Sequence, residues 1–114
     1  MKFLMLVSLD PSRDETEPSD ADLTGTLDVE DWVTKYDDAG VRLLGNQVRM
    51  AEDATSVTRR QGKLLITDGP YAEAREWIVG FDVLECVDLD EAIKVAAEHP
   101  MAVSGRLELR PFVE

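Results

Sequence analysis

The chain has 114 residues, 12 of them basic and 24 acidic, so its formal net charge is −12; 44% are hydrophobic. That length suits a single domain over residues 1–114, with an expected radius of gyration of about 13 Å, and the apolar share is enough for a core. The acid excess excludes broad nucleic-acid binding, which needs cations against phosphates, and disfavours anionic membrane surfaces.

One cysteine, Cys86, excludes an intrachain disulfide framework or a thiolate zinc cluster, and one histidine, His99, excludes a His-rich metal site within one chain. The apolar run at residues 1–7 is too short to cross a bilayer and has no small-residue cleavage site after it. The expectation is a reduced, cytoplasmic protein without a metal. The acidity is concentrated: residues 10–31 hold nine carboxylates against one arginine, a net −8. They lack the spacing of a calcium loop and read as a solvated loop and the first turns of helices, where carboxylates suit the dipole.

Residues 2–9, KFLMLVSL, are almost continuously apolar and read as a strand buried on both faces. Residues 10–18, with Pro11 and Pro18, read as a loop. Ser19 and Asp22 form a capping pair for a short helical turn. From Asp28 a firm helix runs to about residue 39, because Val29, Trp32, Val33 and Tyr36 fall at i, i+3, i+4 and i+7, and Gly40 sits where a left-handed residue ends it. Residues 41–50 read as a strand kinked at Gly45, and residues 51–56 as a polar connection. Gln61-Gly62 turns a hairpin between residues 57–60 and 63–67. A tight turn at residues 68–71 leads to the best strand in the chain, residues 77–87. Asp88 caps a helix whose apolar face is Leu89, Ala92, Ile93, Ala96 and Ala97, and Pro100 stops it. Alternation over residues 107–113 closes the chain with a last strand.

The resulting order, β-α-β-(hairpin)-β-α-β, is an α+β arrangement of the ferredoxin-like type, with two helices on one face of the sheet. The other face is apolar and uncovered, so a second copy of the chain is the expected cover, giving a homodimer.

The run Asp68-Gly69-Pro70-Tyr71-Ala72-Glu73-Ala74-Arg75-Glu76 carries a resemblance, supported by Gly80-Phe81-Asp82-Val83-Leu84-Glu85, by Asp88-Leu89-Asp90-Glu91-Ala92-Ile93 and by Leu107-Glu108-Leu109-Arg110-Pro111-Phe112. The chain resembles the YCII-related family, in the subgroup named after its DGPFAETKE motif; Tyr71, Ala74 and Arg75 depart from that motif. The resemblance spans essentially the whole chain. It implies a dimeric α/β barrel, kinship with small cofactor-independent enzymes acting on lactones, aromatic rings or polyketides, and in some members an association with sigma factors. It also implies a His–Asp pair with the His near the first helix. This chain has no His there, so only Asp68 carries over.

Asp68, at a strand end, is the candidate general base, with an Asx-turn as the alternative. Glu73, Arg75 and Glu76 are candidates to bind a polar substrate head, or else form an ion-paired loop. His99, at a helix C-terminus, reads as a surface cap that is also a ligand-binding candidate. Trp32 and Tyr36, with Trp77 and Phe81, suit either a pocket wall or the core. Cys86 reads as an inert core thiol. Two functions are therefore expected: a cofactor-independent enzyme or small-molecule-binding protein with its site near residues 68–76, or a non-catalytic interaction module accessory to sigma-factor regulation.

Overall fold

A computed structural model describes residues 1–9, 19–69 and 77–114. The expected loop at residues 10–18 and the cluster Glu73, Arg75 and Glu76 lie outside the described residues, as does the side chain of Trp77.

Among the described residues, six strands and four helices follow in chain order: β1 (Lys2–Leu9), α1 (Asp20–Leu23), α2 (Val29–Asp38), β2 (Arg42–Gln47), β3 (Thr55–Arg60), β4 (Lys63–Asp68), β5 (Trp77–Glu85), α3 (Leu89–Ala97), α4 (Met101–Ser104) and β6 (Arg106–Pro111), with a 3₁₀ turn at Ala51–Asp53. The fold is mixed α+β. Four strands form one antiparallel sheet in the order β2-β5-β1-β6, and β3 pairs only with β4.

The helix boundaries have local causes. Ser19 accepts from the Asp22 N–H while Asp22 accepts from the Ser19 N–H, a reciprocal capping box that starts α1. Asp88 Oδ1 accepts from the Glu91 N–H at 2.9 Å and starts α3. Asp28 occupies the N-cap of α2 but makes no side-chain cap bond. Gly40, with φ of 71°, reverses the chain after α2.

Pairing register sorts the side chains. Phe3, Met5 and Val7 of β1 face the same side as Leu84, Asp82 and Gly80 of β5, their direct partners. This side carries the core: Phe3, Met5, Trp32 and Leu84 are fully buried, joined by Tyr36, Ala92, Val95 and Ala96 from α2 and α3. Each large side chain so buried contributes about 1.5–3 kcal/mol. Both long helices therefore cover one face, and the Trp32 indole N–H donates to the Val95 carbonyl at 2.9 Å, tying α2 to α3. A second tie joins their ends, where the Tyr36 hydroxyl and the Lys35 ammonium both bond the Glu98 carboxylate.

The opposite face of β1 and β5 carries Leu4, Leu6, Phe81 and Val83, all half-buried, with exposed Leu44 of β2 alongside. The β1 strand is thus sealed on one face and only partly covered on the other.

One expectation needs correction. The radius of gyration is 16.3 Å rather than about 13 Å, and among the described strands the largely exposed β3–β4 hairpin pairs with no other. α3 ends at Ala97, before Pro100, as expected, and Pro100 itself sits at the N-cap of the short α4, where a missing N–H costs nothing. In the hairpin turn both Gln61 and Gly62 have positive φ, 50° and 77°, as a two-residue turn matched to strand twist requires.

Candidate functional site

The helix-covered face is not completely filled. A cavity of about 670 Å³ opens between α2, the β2–β5 edge and the corner joining α3 to α4. Two glycines line it. Gly45 pairs with Asp82, and Gly80 pairs with Val7 on one side and Gln47 on the other, so both lie on the covered face, where neighbouring atoms crowd the place a Cβ would take. The rest of the wall is largely apolar, with Trp32 and Val33 from α2, Val79 from β5, and Met50 and Met101.

Polar groups enter this apolar space from two directions. The first is Asp82, 6% exposed. Its Oδ1 accepts from Arg42 Nε at 2.7 Å, and Arg42 Nη1 also donates to Asp37 Oδ1 at 3.0 Å. Burial raises the Asp82 carboxyl above its ordinary value, and Arg42 opposes that rise. Gly45 makes room for this pair: a Cβ there would overlap Asp82 Oδ1 and stand 2.8 Å from Arg42 Nη2.

The second is His99, 5% exposed and packed edge-on to Trp32 with ring centroids 4.7 Å apart. Its Nδ1 accepts from the Met101 N–H at 3.0 Å. That bond assigns the neutral ring's proton to Nε2. Burial lowers the His99 pKa. The surface-cap reading is therefore corrected: the chain turns at Pro100 and carries the imidazole inward. Both residues line the cavity, and the described residues supply no partner for His99 Nε2 or Asp82 Oδ2; since no fully buried side-chain nitrogen or oxygen lacks a partner, neither atom is fully enclosed.

Among the sequence candidates, Trp32 and His99 meet in this cavity, with Phe81 at its edge. Tyr36 is a core residue held to Glu98 and does not line the cavity. Asp68 pairs with Thr55 at the base of the hairpin, is exposed, and is outside the cavity lining. Nearby, the Gly69 N–H donates to the Ala54 carbonyl and the Ser56 hydroxyl to the Gly69 carbonyl, closing the hairpin base. Cys86 is buried, and burial pushes its thiol up, as expected of an inert core cysteine. Sequence reasoning missed Arg42, Asp82, Gly45 and Gly80. The available signal was Asp82 and a glycine inside the largely apolar run WIVGFDVLECV, whose other charged residue is Glu85.

Among the described residues no group of three or more His, Cys, Asp or Glu side chains is arranged to hold a metal ion, and no helix is long and apolar enough to cross a membrane. The cavity lining thus holds a neutral imidazole and a carboxylate within a largely apolar wall, groups of the kind that exchange protons.

Comparison with known proteins agrees with the motif evidence. An uncharacterized protein of Rhizobium meliloti (strain 1021) is 35% identical over 82 residues, which is 68% of this chain, and the match spans 64% of that relative's length. The YCII-related domain model matches residues 1–114. The chain belongs to the YCII-related family.

Proposed function

We propose that this chain is a small-molecule-binding protein whose site is the cavity between α2 and the β2–β5 edge. One observation carries the reading: two polar side chains, each more than nine-tenths buried, line an apolar cavity of about 670 Å³, and the described residues leave one polar atom of each without a partner. A filled core would have excluded such atoms or paired them. The volume is in the range of ligand sites, as is an apolar wall with few polar groups. Proton transfer on a small organic molecule, with Asp82 as base and His99 as donor, is the enzymatic form of this function. The competing form keeps Asp68 as base, with Glu73, Arg75 and Glu76 binding the substrate head.

A fragment screen followed by the methyl resonances of Met50 and Met101 tests the reading. Hits that shift both methyls and are lost in Val33→Trp, which fills the cavity, support it; hits that map elsewhere and survive Val33→Trp overturn it. Binding lost in Asp68→Asn and kept in Asp82→Asn selects the competing form.

The chain's finer architecture follows the same reading. With the hairpin set aside, the order of its sheet supports a ferredoxin-like fold, and residues 68–76 support the DGPF subgroup. The partly covered face of Leu4, Leu6, Phe81, Val83 and Leu44, with the exposed Val57, Leu65 and Ile66 of the hairpin, supports a homodimer closing as an α/β barrel. A monomeric mass by light scattering at micromolar concentrations would refute it. These exposed apolar side chains also favour the second function, an interaction module.

A further inference from the structure

We infer that the cavity takes an uncharged ligand with an apolar body, a carbonyl-type oxygen placed on His99 Nε2 and a hydroxyl or N–H placed on Asp82 Oδ2. This rests on the cavity being a ligand site and specifies what that site accepts.

The polarity of the two contacts follows from their outer bonds. His99 Nδ1 is occupied by the Met101 N–H, so the cavity side of the ring presents a proton and needs an acceptor. Asp82 Oδ1 is occupied by Arg42 Nε, so the cavity side of the carboxylate presents lone pairs and needs a donor. Neither contact is interchangeable with the other, and together they give the ligand an orientation.

The absence of charge on the ligand follows from the ion count. Arg42 is shared between two carboxylates, Asp82 and Asp37, so this corner is net negative before a ligand arrives. An anion would meet that excess with no cation left uncommitted in the group. A cation would meet the Nε2–H of a buried imidazole and would leave water for walls made by Trp32, Val33, Val79 and Met101. A neutral molecule avoids both costs and satisfies both open atoms.

Three phenols of similar size distinguish these classes: 4′-hydroxyacetophenone, 4-hydroxybenzoate and 4-hydroxybenzylamine, neutral, anionic and cationic respectively. Near neutral pH, titration of the wild-type protein followed by NMR should show the neutral ketone binding tightest, with the His99 Nε2 resonance shifting on saturation. Asp82→Asn keeps an oxygen for Arg42 but can turn an N–H₂ toward the cavity. It should weaken 4′-hydroxyacetophenone about tenfold or more, the worth of a hydrogen bond to a charged group. It should leave 4′-methoxyacetophenone, which has no hydroxyl to donate, no weaker. Tighter binding of the benzoate or the amine, with shifts at Met50 and Met101, overturns the neutral class while leaving the cavity as a ligand site. Equal loss of the hydroxy and methoxy ketones in Asp82→Asn overturns the assigned contact. If none of the three phenols shifts a cavity resonance, both this inference and the site it rests on fail.

Discussion

Gly45 gives the sharpest test of how the cavity is built. Substituting alanine adds one methyl group, which would overlap Asp82 Oδ1 and stand 2.8 Å from Arg42 Nη2 and 2.9 Å from Asp82 Cγ. Ordinary carbon contacts are about 3.5–4.0 Å, so the Arg42–Asp82 pair must separate. Losing a hydrogen bond between charged groups costs about 1.5–3 kcal/mol. The exchange of glycine for alanine in a strand returns about 0.5–1 kcal/mol. Asp82 is left without its counter-charge at 6% exposure, which pushes the cost toward the upper end. A net loss of about 2 kcal/mol is expected. With an unfolding entropy of about 2.1 cal/mol/K per residue, a chain of 114 residues should lose about 8 °C in Tm. Thermal unfolding followed by circular dichroism measures this directly. The same substitution in an Asp82→Ala background isolates the cause, since the group it strikes is gone and the cost should vanish or change sign. Gly45→Ala within about 0.5 kcal/mol of wild type, or equally costly in both backgrounds, would refute the account.

Asp88→Ala removes the cap of α3 and should cost about 1 kcal/mol, read as a Tm loss of about 4 °C, with an unchanged Tm as the contrary result. Folded His99 holds a proton less tightly than its ordinary value of 6.5, so below that pH the unfolded chain binds more protons. The His99 contribution to stability is therefore complete above about pH 6.5 and is lost as pH falls, at up to about 1.4 kcal/mol per unit. Denaturant titrations across that window should show this slope in wild type and lose it in His99→Phe; identical slopes would sink the assignment. Trp32→Phe leaves the Val95 carbonyl without its indole donor and should cost about 1–3 kcal/mol in denaturant unfolding; a cost under about 0.5 kcal/mol would show that bond to be idle. If the exposed hairpin forms the proposed homodimer contact, Ile66→Lys should lower the mass seen by light scattering toward that of one chain, whereas a dimeric mass kept in this variant would exclude the hairpin from the contact.

Much of the fold was legible because its signals are local. The i, i+3, i+4, i+7 series from Val29 to Tyr36, the Ser19–Asp22 box, the Asp88 cap and the Gln61-Gly62 turn each act within a few residues, and each stands where expected. The site was not legible because it is made between elements. Asp82 looks like an interruption of an apolar strand until β2 brings Arg42 beside it. His99 looks like a surface cap until α4, four residues long, turns it inward. Gly80 marks no turn; a Cβ there would stand 3.1 Å from the Asn46 carbonyl oxygen, so its importance is the close approach of β2 to β5. Trp32 was placed equally well in core or pocket by its spacing, and it serves both: fully buried, it bonds Val95 and walls the cavity.

The β3–β4 hairpin has a further consequence for how the molecule opens. Two strands alone are marginal in water, and these two share no ladder with the four-stranded sheet. Their amides should exchange with solvent through local fraying, at a free energy far below that of global unfolding. Those of β1, paired on both edges by β5 and β6, should exchange only when the whole domain opens. The chain thus contains two cooperative units of unequal stability, and whatever docks on the hairpin would be detected first as slowed amide exchange there, with no change in the melting of the core.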